Sequence, residues 1–249
     1  MWLRAFTPFV PGDAAASNIP AAVFAVHLRN TGDETVSCRL GFSFPGPPPE
    51  EGEIYTRQWL SGKGSSLRGT VVRHSHEQSC ALGVLGGDEV WVGGAIGDGS
   101  AAWQTLTGDL PQPGEQDGGT TVAADVTIEP GDTEVLYFVL AWYYPTFRDS
   151  GNHPHFHQYS FQFQDAADVA RYLADSHAEL LERTLAWQDV IYGSSLPGWL
   201  QNALVNGLYS LGKNTLWIRS PRSDDWWGEE GLFTHSESFT GCPITETMV

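Results

Sequence analysis

Apolar and polar residues alternate along much of residues 1–145, and that alternation predicts β-strands. In Thr35 to Phe44, TVSCRLGFSF, the residues Val36, Cys38, Leu40, Phe42 and Phe44 fall on one face, with Arg39 and Ser43 on the other. Such a strand has one wet side. The preceding segment, AVFAVHL, alternates through Phe24, Val26 and Leu28. Asn30-Thr31-Gly32-Asp33 supplies turn residues between the two, so the pattern predicts a hairpin. Further on, VTIEPGDTEVLYFVLAW carries two strands around Pro130-Gly131-Asp132. The second sets Val135, Tyr137 and Val139 opposite Leu136, Phe138 and Leu140, so a central strand covered on both faces is expected. Short strands with regular turn signals favour a β-sandwich over a barrel. Pro45 to Glu53 is too proline-rich for a central strand, and Gly108 to Gly119 reads as a flexible surface loop. Neither suggests chemistry.

After Tyr144-Pro145 the period lengthens. DAADVARYLADSHAELLERTLAWQDVIYG places Val169, Leu173, Leu180 and Trp187 on one helical stripe, with Asp165 as N-cap and Gly193 as stop. SSLPGWLQNALVNGLYSLGKN predicts a second helix with a serine cap, Pro197 in the first turn and a stripe of Leu200, Leu204, Leu208 and Leu211 ending at Gly212. Two helices cannot bury their own apolar faces, so a larger helical domain that runs past this segment is expected. The reading is a multi-domain β-then-α chain: a β-sandwich over 1–145, a linker and connecting helix over 146–194, and the start of a helical domain over 195–249.

Composition narrows the partners. The 249 residues are 41% hydrophobic and include ten tryptophans, enough for a real core. A net charge of −17 repels phosphate backbones and anionic leaflets, so nucleic acid is not an expected partner. Cys38, Cys80 and Cys242 stand far apart without CxxC spacing, and are expected as three reduced, buried thiols. The first residues, MWLRAFTPFVPGD, lack a basic start, apolar stretch and cleavage site, which suits a cytoplasmic location. No run is long and apolar enough to cross a bilayer.

Several clusters could carry chemistry. His153-Pro154-His155-Phe156-His157 puts three imidazoles on one face of an extended segment, either as metal ligands or as a solvated loop. His74-Ser75-His76-Glu77 reads as a strand end. Trp226-Trp227, after Asp224-Asp225, offers flat indoles that could stack on sugar faces or anchor a loop. Glu229 and Glu230 beside them read as a solvated turn. Glu237 differs: it lies between Ser236 and Ser238, with His235 and Phe239 one step out and no lysine or arginine nearby. Such isolation suits a nucleophile or a proton carrier.

The run LAWQDVIYGSSLPGWLQNALVNGLYSL, Leu185 to Leu211, resembles the start of the helical domain of family 116 glycoside hydrolases. That family includes the non-lysosomal glucosylceramidase and bacterial β-glucosidases. FTPFVPGDAAASNIPAAVFAVHLRNTGDE resembles the family's N-terminal β-domain, and LAWYYPTF resembles its last strand before the linker. The resemblance implies a β-sandwich beside an (α/α)6 barrel that holds the sugar. It also implies a glutamate nucleophile a few residues after a glycine-x-phenylalanine. Gly231-Leu232-Phe233-Thr234-His235-Ser236-Glu237 matches that pattern, which gives Glu237 the nucleophile's place; Trp226, Trp227 and His235, near it in sequence, are the candidate substrate contacts.

The resemblance implies a retaining β-glycosidase acting on β-glucosides, glycolipids included, with no cofactor and no metal. Its general acid/base would be an aspartate beyond residue 249, and a glycine-rich segment would precede Met1. The chain would thus be truncated at both ends and inactive alone. Glu246-Thr247 departs from the family's usual asparagine-threonine or serine-threonine, and no aspartate follows Glu237. Two competing readings remain: a non-catalytic carbohydrate-binding or scaffold protein, and a metal hydrolase using His153, His155 and His157.

Overall fold

The computed structural model describes residues 1–47, 54–74, 77–148, 151–222, 224–227 and 230–235. The chain divides into two units. Met1–Thr7, Pro20–Tyr143 and Phe163–His177 form the first; Pro8–Ile19, Tyr144–Gln162 and Ala178–Val249 form the second.

The strands of the first unit are β1 (Trp2–Phe6), β2 (Ala21–Arg29), β3 (Val36–Phe44), β4 (Thr56–Ser61), β5 (Arg68–Arg73), β6 (Ser79–Leu85), β7 (Val90–Gly93), β8 (Thr120–Ile128) and β9 (Thr133–Tyr143). They make a six-stranded sheet ordered β1-β2-β9-β6-β5-β4 and a three-stranded sheet ordered β3-β8-β7. Every pair is antiparallel. The two sheets enclose one core. Leu82 and Val84 of β6, Leu136 and Phe138 of β9, and Val122, Ala124, Val126 and Ile128 of β8 are all buried in it. Phe24, Val26 and Leu28 of β2 and Leu40, Phe42 and Phe44 of β3 pack against this cluster, as their alternation requires. The unit is a β-sandwich.

The two-faced pattern of β9 has the expected cause. The strand lies between β2 and β6, and Val139 and Ala141, on the face away from the inter-sheet core, are as buried as Phe138. Helix α3 (Ala166–Tyr192) begins in this unit. Asp165 Oδ1 accepts the Asp168 N–H at 2.8 Å, the cap expected from the sequence. Asp165 also pairs with Arg73 at the end of β5 at 2.6 Å, and the Ala166 N–H donates to Ser79 Oγ at 3.1 Å. Ala166, Val169, Ala170 and Leu173 of the first turns are buried.

Three expectations for this unit need correction. β2 and β3 do not form a hairpin: β2 pairs with β1 and β9, and β3 pairs with β8 in the other sheet. The turn between them is an inter-sheet corner, closed by Asn30. Its side-chain amide donates to the carbonyls of Glu34 at 2.7 Å and Ile128 at 3.0 Å, and its Oδ1 accepts the Gly32 N–H at 2.9 Å. The Gly108–Gly119 stretch is no loose loop. Leu110 is buried with Ile96 and Ala123 beside the short helix α2 (Ser100–Trp103), and the Arg57 guanidinium donates to the carbonyls of Asp117 and Gly119. Cys80 is buried, but Cys38 is exposed: β3 is an edge strand with one neighbour, and its first three residues stay in solvent. Cys242 and much of the proline-rich loop (48–53) lie outside the described residues.

The second unit holds helix α1 (Ala14–Ser17), β10 (Thr146–Arg148), β11 (Pro154–His157), the C-terminal half of α3, α4 (Gly198–Gly207), α5 (Tyr209–Asn214), β12 (Thr215–Arg219) and β13 (Leu232–His235). Its strands form an antiparallel sheet ordered β10-β11-β12-β13. The leucine stripe predicted one helix to Gly212. Instead α4 ends at Gly207, and α5 carries on to Asn214 before the chain turns extended. Glycine is a poor helix interior residue, which accounts for the break. Pro197 is the N-cap residue, one step earlier than expected. No residue of α4 is buried, and Trp199 is 72% exposed. Among the described residues no helix is long and apolar enough to cross a membrane.

Candidate functional site

Two pieces of chain far apart in sequence build the site. The first is Pro8–Ile19, a loop clasped to the C-terminal half of α3. The Phe9 N–H donates to Thr184 Oγ1 at 3.4 Å, and Trp187 Nε1 donates to the Phe9 carbonyl at 2.8 Å. The Phe9 ring stands edge-on to that indole, with centroids 6.0 Å apart. Arg183 pairs with Asp13 at 2.5 Å. Trp187 therefore serves both the apolar stripe and a tether. Asp13 Oδ1 also caps α1 by accepting the Ala16 N–H at 3.0 Å. That backbone bond, helped by Arg183, holds the Asp13 carboxyl below its ordinary pKa. Ser17 closes the loop, its hydroxyl accepting the Val10 N–H at 2.9 Å and lying 2.8 Å from the Asp13 carbonyl.

The second piece is the β12–β13 hairpin. Trp217 pairs with Phe233 in the register, and their rings stack at 5.2 Å with 15° between planes. Trp217 Nε1 donates to the Glu230 carbonyl at 3.0 Å, which fixes the indole. Gly231 opens β13 at φ +82°. A Cβ there would lie 2.6 Å from Trp217 Nε1 and 2.7 Å from the Ile218 carbonyl, so the position excludes any side chain. The glycine and the phenylalanine of the Gly231-Leu232-Phe233 pattern are thus both used to hold Trp217.

Between these pieces lies a cavity of about 1020 Å³. Phe9, Val10 and Pro11 of the clasp, Leu208 and the Trp217–Phe233 pair give it apolar walls. Ser17, Asn18, Thr215 and Thr234 add polar groups. An apolar chamber with aromatic faces and a few fixed polar groups is suited to a small ring-shaped, hydroxylated ligand.

The residues singled out from the sequence take varied places. Trp226 is 89% exposed and does not line the cavity. Trp227 is half-buried, with its ring 6.0 Å from that of His155, and does not line it either. Asp224 pairs with Arg222 at 2.9 Å, and Asp225 accepts from the Ser220 hydroxyl. His235 pairs with Thr215 across the hairpin; its side chain, like all of Glu237, Glu229 and Glu246, lies outside the described residues.

His153 precedes β11 and is exposed, whereas His155 and His157 sit among aromatics. His155 neighbours Phe147 and Trp227, and His157 stacks on Tyr159 at 5.2 Å and stands edge-on to Phe147 at 6.0 Å. Burial pushes the His157 imidazole below its ordinary pKa. Among the described residues no group of three His, Cys, Asp or Glu side chains is placed to hold a metal ion. His74 follows β5 directly, against the ring of Tyr55 at 4.6 Å, and His76 lies outside the described residues.

Phe9, Asn18 and Trp217 were not singled out by sequence reasoning. Phe9 stood in the quoted TPFVPGD stretch, and Trp217 lies in a short alternating run, TLWIR, that follows the second predicted helix. Neither carries a local signal that it faces a chamber.

The family model described as "beta-glucosidase 2, glycosyl-hydrolase family 116 N-term" matches residues 1–180. A solved structure named "Putative kojibiose phosphorylase from human microbiome" is similar at 11% identity and a TM-score of 0.38. The alignment covers 86% of this chain and 21% of that one.

Proposed function

Because this chain belongs to glycoside hydrolase family 116, through that family's N-terminal domain, we propose that the protein is a retaining β-glucosidase acting on β-glucosides, glycolipid glucosides among them. The observation that carries the reading is the aromatic-walled cavity bordered by β13. Phe233 and Thr234 line it, and Glu237 follows Thr234 by three residues. Covalent geometry bounds the Cα separation of those two residues at about 11 Å.

In the proposed reaction Glu237 attacks the anomeric carbon, and the glycosidic bond breaks as the leaving oxygen takes a proton from a second carboxyl group. Water, deprotonated by that same group, then releases the sugar with its configuration retained. The two carboxyl groups must stand about 5–5.5 Å apart. On the family's pattern the second is an aspartate C-terminal to Val249, carried by further helices of an (α/α)6 barrel. Exposed apolar residues on the helices, Val190, Trp199 and Leu204 among them, support such a surrounding.

The test is hydrolysis of an aryl β-glucoside by the protein carrying both carboxyl groups, followed by NMR of the first-formed sugar. The β-anomer is expected. The α-anomer first would overturn retention. Glucose binding without turnover would favour a non-catalytic carbohydrate-binding protein.

A further inference from the structure

The side-chain nitrogen of Asn18 is buried and has no hydrogen-bond partner among the described residues. Asn18 is also one of the residues that line the cavity. Asn30 shows what a structural asparagine looks like in this protein: its amide donates to two carbonyls and its oxygen accepts a backbone N–H. The Asn18 nitrogen has no such carbonyl. A buried donor left unpaired lowers stability, so such a group persists where something other than folding uses it.

Its surroundings are rigid. Ser17, the preceding residue, is locked to Val10 and Asp13, and the loop is tethered to α3 through Phe9 and Asp13. The Asn18 amide itself turns about one soft torsion, the terminal χ2. Rotation about that torsion can turn the unpaired donor toward a ligand without moving the backbone of the wall. Across the cavity stand Trp217 and Phe233, ring faces of the kind on which sugars pack.

We infer that the Pro8–Ile19 clasp is a sugar-reading wall, in which the Asn18 amide donates to one hydroxyl of a β-glucoside lying against Trp217 and Phe233. The ligand class rests on the glycosidase reading above; the site itself rests on the cavity and the orphaned amide.

The experiment compares the protein carrying both carboxyl groups with its Asn18→Ala and Asn18→Asp variants in two measurements. One is thermal unfolding without ligand, and the other is steady-state hydrolysis of aryl β-glucosides, including the 2-, 3-, 4- and 6-deoxy analogues. Removing an unpaired donor is expected to leave the melting temperature unchanged or raised. KM is expected to rise between about threefold and tenfold, the worth of one hydrogen bond, and by more than kcat falls. For one deoxy analogue the Asn18→Ala effect should vanish, which identifies the hydroxyl. A lowered melting temperature with unchanged KM would make Asn18 a structural residue and overturn the inference. If the protein hydrolyses no β-glucoside, glucose binding followed by tryptophan fluorescence replaces KM. An Asn18-dependent affinity would then support this site while the glycosidase reading fails, and an affinity indifferent to Asn18 would overturn both.

Discussion

Gly231 is the residue on which the hairpin turns. Its φ of +82° is a conformation that side chains rarely adopt, and a methyl group there would strike Trp217 Nε1 and the Ile218 carbonyl. Gly231→Ala is expected to cost about 2–3 kcal/mol, from strain and collision together. Gly12 is the control. It lies at φ +85°, and a Cβ placed on it would meet nothing within 4 Å, so Gly12→Ala should cost only about 1 kcal/mol. Urea unfolding of both variants checks the difference; equal losses would show that the contacts to Trp217 do not matter. His157 gives a pH prediction. Its folded pKa lies below the ordinary value of 6.5 because burial disfavours the charged ring. The unfolded chain therefore binds the proton first, and stability is lost as pH falls from about 6.5 toward the lowered folded value. His157→Gln should flatten the dependence of melting temperature on pH between about 5 and 7.5. A slope identical to that of the unaltered protein would contradict the burial argument.

Single elements were the most legible part of the chain, and their partners the least. Alternation located β2, β3 and β9, and the two-faced pattern of β9 correctly marked it as central. The Asp165 cap of α3 was equally plain, since capping is a local event that four residues display. Pairing is another matter. The Asn30–Asp33 turn residues look alike whether a turn closes a hairpin or carries the chain across to the other sheet. What decides is the nine-residue ladder between β2 and β9, more than a hundred residues apart in sequence and invisible to any short window. Asn30 then holds the corner through its bonds to Glu34, Ile128 and Gly32. Asn30→Ala leaves the buried Ile128 carbonyl and the part-buried Glu34 carbonyl without this donor and is expected to cost about 1–3 kcal/mol, with the urea dependence of unfolding unchanged. A loss under about 0.5 kcal/mol would mean that the corner is held by its backbone alone.

At the scale of the whole molecule, the order of the motifs proved more informative than local pattern. The ordered resemblance of the N-terminal strands agrees with the family match over residues 1–180, and the resemblance of Leu185 to Leu211 lies beyond that match. The candidate site was hardly legible. Its walls come from residues 9–18 and 208–234, which meet only because Phe9, Asp13 and Trp187 fasten the clasp to α3 within the second unit. The sequence did mark the strand that borders it, through the glycine and phenylalanine of the pattern that leads to Glu237. The central claim is that this acid forms a covalent bond with the sugar. It is tested most directly by treating the protein with 2-deoxy-2-fluoro-β-glucosyl fluoride and mapping the adduct by peptide mass spectrometry. The expected result is one fluoroglucosyl group per molecule, on the peptide containing Glu237 and absent from Glu237→Gln. An active protein labelled on a different carboxylate would contradict it.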